Sequence, residues 1–129
     1  MTPCACHHPD PALAAEHVRR AAHLLTLVDE SHHILTLRRC SCGQRWLTIF
    51  TELIDWSSGD DSQARVYAPL TDAEADDLAR FTILDPARLA LADLPGLAAP
   101  RRFLLMLYPR GGEKSWSWRE GSVPDLPHD

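Results

Sequence analysis

The sequence predicts an α+β fold: an antiparallel sheet of about five strands, with an N-terminal helix and two further helices. Three observations carry this expectation. Apolar residues recur at helical spacing near the start of the chain, from Pro11 to about Val28. Runs rich in β-branched and aromatic residues, at 33–38, 46–54, 65–68 and 103–108, are separated by polar, glycine-containing segments. Helix-start signals gather between 71 and 86, so strands and helices are segregated rather than strictly alternating.

Asp10-Pro11 reads as an N-cap followed by proline at the first helical position, where its missing N–H costs nothing. Ala14, Val18, Ala21, Leu25 and Val28 then share one face, widened by His17 and Leu24, while Glu16, Arg19, Arg20 and His23 fill the others. This spacing predicts one amphipathic helix reaching about Val28. His33–Arg38 and Trp46–Ile54 form a β-hairpin around the tight segment Cys40-Ser41-Cys42-Gly43-Gln44. In the second of these strands both alternating faces hold apolar groups, which places it centrally with cover on both sides. Ser57–Ser62 is a loop by composition and Arg65–Ala68 a short third strand. Thr71-Asp72-Ala73-Glu74 matches a capping box and opens a helix to about Phe81, with Ala75, Leu78 and Phe81 or Thr82 inward. Asp85-Pro86 opens a shorter helix through Ala92, stopped by Pro95-Gly96. Phe103–Tyr108 is expected as a buried strand and Lys114–Trp118 as an edge strand. The whole, 1–129, reads as a single domain with a polar arm at 1–10 and a loose tail at 121–129.

The chain has 129 residues and a net charge of −5, from 18 acidic and 13 basic side chains. A domain of this length buries roughly 65–70% of the surface its unfolded chain exposes, so it needs no metal merely to own a core. The acidic balance offers no global attraction to phosphate backbones, which makes nucleic acid a disfavoured partner. No segment approaches the ~18–20 consecutive apolar residues of a membrane span. Met1-Thr2-Pro3-Cys4 also lacks a basic start followed by an apolar run, so a soluble protein of the cytoplasm is expected, with no membrane partner. Every basic residue but Lys114 is arginine, a usage typical of GC-rich bacterial genomes.

The four cysteines form two clips, Cys4-Ala5-Cys6 and Cys40-Ser41-Cys42. In a reducing compartment disulfides are disfavoured, and such clips are suited to metal. A tetrahedral zinc needs four soft ligands at about 2.3 Å from one ion, and the two clips supply four thiolates. The segment Arg39-Cys40-Ser41-Cys42-Gly43-Gln44-Arg45-Trp46 resembles the metal-holding knuckle of zinc-ribbon proteins over this short stretch, with glycine after the second cysteine and an aromatic soon after. Its Cys-x-Cys spacing departs from the commoner Cys-x-x-Cys. The resemblance implies a zinc-knuckle hairpin turn and no particular activity. The predicted ligands to one Zn²⁺ are therefore Cys4, Cys6, Cys40 and Cys42, with His7 or His8 as alternates for one thiolate. The competing reading is a set of free buried thiols; their clustering in polar, turn-like sequence argues against it.

A site of four thiolates is closed, whereas a catalytic zinc keeps a position for water. No His-Glu-x-x-His motif, nucleophile triad or phosphate-cradling glycine loop is present, so enzyme activity is not favoured. Arg38, Arg39 and Arg45 flank the clip and compensate the charge of about −2 on a zinc tetrathiolate; a basic knuckle for nucleic acid is the alternative. Glu52, Asp55, Asp60 and Asp61 gather around Trp56, a combination suited to a basic protein surface; a divalent-cation site is an alternative whose spacing misses the calcium-loop pattern, and a solvated acidic loop with Trp56 packed beneath it is favoured over both. Trp116 and Trp118 share a strand face and read as core. The expected function is a small zinc-containing protein-binding module, of inhibitory or immunity type. The alternatives are a zinc-ribbon nucleic-acid accessory protein and a zinc hydrolase with an open metal site.

Overall fold

A computed structural model of the chain describes residues 4–30, 32–53, 62–84, 99–108 and 115–123. They form one six-stranded antiparallel sheet with strand order following the chain: β1 (Ala22–Glu30), β2 (His33–Arg39), β3 (Arg45–Leu53), β4 (Ser62–Leu70), β5 (Arg101–Tyr108) and β6 (Ser115–Gly121). Two α-helices accompany it among the described residues, α1 (Pro11–Arg19) before the sheet and α2 (Asp72–Leu84) between β4 and β5. A 3-10 turn, Ala5–His7, precedes α1.

This corrects the expected five-stranded sheet with three helices. The added strand comes from the C-terminal half of the predicted N-terminal helix: α1 stops at Arg19, and Ala22–Glu30 pairs with β2 instead. Leu24, Leu25, Thr26, Leu27 and Val28 satisfy either periodicity, so pairing decides between them. As a strand, the segment lines up from Ala22 opposite Arg39 to Glu30 opposite His33 and buries Leu27 against the sheet's core. Two register shifts, between His23 and Leu25 and between Thr26 and Val28, absorb the residues that do not fit a strict alternation. The shorter helix expected at Asp85–Ala92 lies outside the described residues.

Where local chemistry punctuates the chain, the elements begin as read. Asp10 Oδ1 accepts from the Ala12 amide at 3.0 Å, capping α1 ahead of Pro11. At α2 the capping box is reciprocal: the Thr71 amide donates to Glu74 Oε1 at 2.9 Å and the Glu74 amide to Thr71 Oγ1 at 3.2 Å. β4 is longer than the four residues expected, because every residue from Ser62 to Leu70 has a partner on β3.

Both faces of the central strands carry buried side chains, one under α2 and the other only partly under α1. One face collects Leu35, Leu37, Leu47, Ile49, Val66, Ala68 and Phe103, onto which α2 sets Ala75 and Leu78. Val123, just beyond β6, inserts into the same cluster, while 124–129 lie outside the described residues. Glu74 and Arg101 form an ion pair at this face with side-chain exposures of only 12% and 11%. Burial alone pushes the Glu74 carboxyl up, but the Arg101 guanidinium and the Thr71 amide outweigh it and hold it below the usual carboxylate range. The opposite face carries Trp46, Tyr67, Leu104, Trp116 and Trp118, covered at one end by Ala14, Ala15 and Val18 of α1 and by the cysteine arm.

Candidate metal centre

The β2–β3 turn presents one cysteine clip in a fixed geometry. The Cys40 amide donates to the Gln44 carbonyl at 2.9 Å, and the Gly43 amide donates back to the Cys40 carbonyl at 2.9 Å. Closing so tight a turn puts Gly43 at φ +94°, a left-handed conformation that side chains other than glycine adopt at a cost. Gln44 ties the turn to β4 by donating from Nε2 to the Leu70 carbonyl at 2.8 Å.

The second clip is held by the N-terminal arm. The His7 amide donates to the Cys4 carbonyl at 2.9 Å, curling Cys4 and Cys6 around the 3-10 turn. Trp118 on β6 anchors the arm through an indole N–H donated to the His8 carbonyl at 2.9 Å. Cys6 is fully buried beside Trp46, in the same cluster as Cys40, Ala14 and Val18.

These two supports bring the four sulfurs together. All four Sγ atoms of Cys4, Cys6, Cys40 and Cys42 lie within 4.8 Å of one another. Cys4 and Cys40 are 3.3 Å apart and Cys6 and Cys42 are 3.7 Å apart, and all four are free thiols. A disulfide requires about 2.05 Å. Four sulfurs at about 2.3 Å from a tetrahedral ion are separated by about 3.8 Å, so the observed spacing suits coordination and not cross-linking. The donor set fits as well, being soft and matched to zinc.

The electrostatics of the cluster are uneven. A backbone hydrogen bond from Cys6 lowers the Cys4 thiol to about 6, with Cys40 and Cys42 adding to the effect against the opposing influence of burial. Burial pushes the Cys6 thiol far up and Cys42 up as well. A bare thiolate is therefore resisted at buried Cys6, and a divalent cation shared by the sulfurs would offset that resistance.

The expected alternates fall elsewhere. The ring of His7 lies against Trp46, with centroids 5.3 Å apart, and His8 accepts the Asp10 amide at Nδ1 at 2.9 Å. Neither belongs to the sulfur cluster. The histidine that approaches it is His17 of α1, whose Nε2 is 3.8 Å from Cys4 Sγ. Sequence reading treated His17 only as part of a helix face, and no ligand spacing marks it; the folding of α1 back beside the arm brings it there. His17, Arg20 and Arg39 line an open cleft of about 570 Å³ together with Cys40 and Ser41, so two guanidinium groups stand beside the sulfur cluster.

The other flanking arginines have internal work. Arg38 donates from Nη1 to the carbonyls of Arg19 and Ala21 at 3.3 and 3.1 Å, closing the C-terminal end of α1. Arg45 pairs with Asp76 at 3.0 Å, joining β3 to α2. Of the predicted acidic surface, only Glu52 lies among the described residues. It contacts His32 Nδ1 at 3.2 Å and accepts from Gln63 Nε2 at 2.9 Å. Asp55, Trp56, Asp60 and Asp61 lie outside the described residues.

No helix among the described residues is long and apolar enough to cross a membrane. Comparison of the chain with protein-family models, with curated proteins and with solved structures finds no match.

Proposed function

We propose that the chain is a small zinc protein in which one structural ion, held by Cys4, Cys6, Cys40 and Cys42, staples the N-terminal arm to the β2–β3 turn. The observation that carries this reading is the convergence of four free sulfurs within 4.8 Å. When bound, the ion supplies a cross-link between distant parts of the chain; the four sulfurs complete its tetrahedron, which argues for binding rather than catalysis. Native mass spectrometry of protein purified without added metal tests it. One zinc per chain is expected, lost on replacing any of the four cysteines by serine and retained on replacing His7 or His8. Absence of metal from the unmodified chain overturns the proposal.

The partner in this reading is a basic protein, engaged in an inhibitory or immunity-type role through the acidic segment that includes Asp60 and Asp61. It rests on the net charge of −5 and on the carboxylates grouped around Trp56 in the sequence. Reversing charge at Asp60 and Asp61 should abolish recovery of that partner; unchanged recovery refutes this assignment. The basic-knuckle alternative is weakened by the net charge of −5 and by Arg45, whose guanidinium pairs with Asp76.

A further inference from the structure

The sheet face that α1 only partly covers contains a second feature unrelated to the metal. Strand register sets Ile34, Phe50, Arg65, Met106 and Trp116 in one row across β2–β6, and Thr36, Thr48, Tyr67, Leu104 and Trp118 in the next. α1 covers the second row toward β5 and β6. Over β2, β3 and β4 the rows stay open and form a cleft of about 240 Å³.

The walls of this cleft are cationic. Arg19 reaches in from the end of α1, Arg38 from β2 and Arg65 from β4, and no carboxylate is among the residues lining it. Its floor is a pair of threonines, Thr36 and Thr48, 9% and 8% exposed, whose hydroxyls hydrogen-bond to each other. One side is apolar, formed by Ile34 and by Phe50, over whose ring the Arg65 guanidinium lies at 4.8 Å. Each guanidinium carries five N–H donors. Arg19 commits Nε and Nη2 to Glu16, and Arg38 commits Nη1 to carbonyls, so both keep donor capacity toward the cleft. Arg19, Arg65 and Tyr67 also border a neighbouring cleft of about 340 Å³ that extends to Met106 and Trp116.

Arg19 is paired with Glu16, whereas Arg38 and Arg65 contact no carboxylate among the described residues, and in a protein of net charge −5 their convergence on one recess is not a by-product of a basic surface. We propose that this cleft binds a small organic anion, a carboxylate or phosphate ester on a flat apolar body. Arg19, Arg38 and Arg65 take the anionic group by charge-assisted hydrogen bonds, and Phe50 and Ile34 take the body.

Isothermal titration calorimetry on the whole 129-residue chain as purified tests this with four probes: phenyl phosphate, benzoate, inorganic phosphate and benzyl alcohol. Saturable binding of at least one of the two aromatic anions is expected, at least tenfold tighter than inorganic phosphate, with none for benzyl alcohol. Arg65→Gln and, separately, Arg19→Gln should each weaken the anion about tenfold, whereas Arg102→Gln, elsewhere on the sheet, leaves it unchanged. Far-ultraviolet circular dichroism and melting temperature of the variants check that the fold is intact. Failure of both aromatic anions to saturate, affinity equal to that of inorganic phosphate, or unchanged affinity in both cleft variants overturns the proposal, whatever the outcome at the cysteines.

Discussion

Removing the proposed zinc should free the arm and leave the sheet standing. Each Cys-x-Cys clip is local and keeps its affinity for zinc in the unfolded chain, so the ion stabilises the native state chiefly through the link between clips. Both cross-clip sulfur pairs, Cys4 with Cys40 and Cys6 with Cys42, join residues 36 positions apart. Closing a loop of that length costs the unfolded chain about 4 kcal/mol in conformational entropy. With an unfolding entropy of about 2.1 cal/mol/K per residue, a chain of this size loses about 15 °C in melting temperature for that sum. The cluster of Leu35, Leu47, Ile49, Val66 and Leu78 does not involve the arm, so the β-sheet signal in far-ultraviolet circular dichroism should persist. Thermal melts under reductant, with and without chelator, and amide exchange at residues 4–8 provide the measurement. Unchanged melting temperature after demonstrated metal loss would refute the staple. Complete unfolding on chelation at room temperature would refute the independence of the sheet.

Gly43→Ala isolates the backbone cost of the knuckle. A Cβ at this position meets nothing within 4 Å, so the penalty comes from φ +94° alone and should be about 1–2 kcal/mol in denaturant unfolding, with weakened metal retention. Glu74→Gln removes one charge of a largely buried pair and should cost about 3 kcal/mol at neutral pH. The folded-state carboxyl is held below its ordinary value, so its contribution is present above the unfolded value of about 4.3 and is lost as pH falls through the folded one. The stability gap between Glu74→Gln and the unmodified chain should therefore narrow below about pH 4; a gap constant down to pH 2 would show that the ion pair is not its source. Leu78→Ala should cost about 2–5 kcal/mol, since this fully buried side chain fastens α2 to the sheet.

Local stereochemistry was readable from the residues alone. Asp10-Pro11 and Thr71–Glu74 mark helix starts by side-chain hydrogen bonds made within a few residues, and Cys40–Gln44 closes a turn whose bonds are equally local. The end of α1 was not readable, because Leu24–Val28 suits either a helix or a strand and the choice depends on β2 being available as a partner. Spacing suggested the two clips, yet their meeting depends on long-range anchors such as Trp118 on the His8 carbonyl, 110 residues away in sequence. The basic cleft was invisible for the same reason: Arg19, Arg38 and Arg65 acquire a common site only through strand register.

X-ray absorption at the zinc edge, on protein expressed and purified without added metal, tests the proposed zinc site most directly. One zinc per chain surrounded by four sulfurs at about 2.3 Å is the expected spectrum. No zinc absorption, or a shell containing nitrogen or oxygen in place of one or more sulfurs, would contradict it.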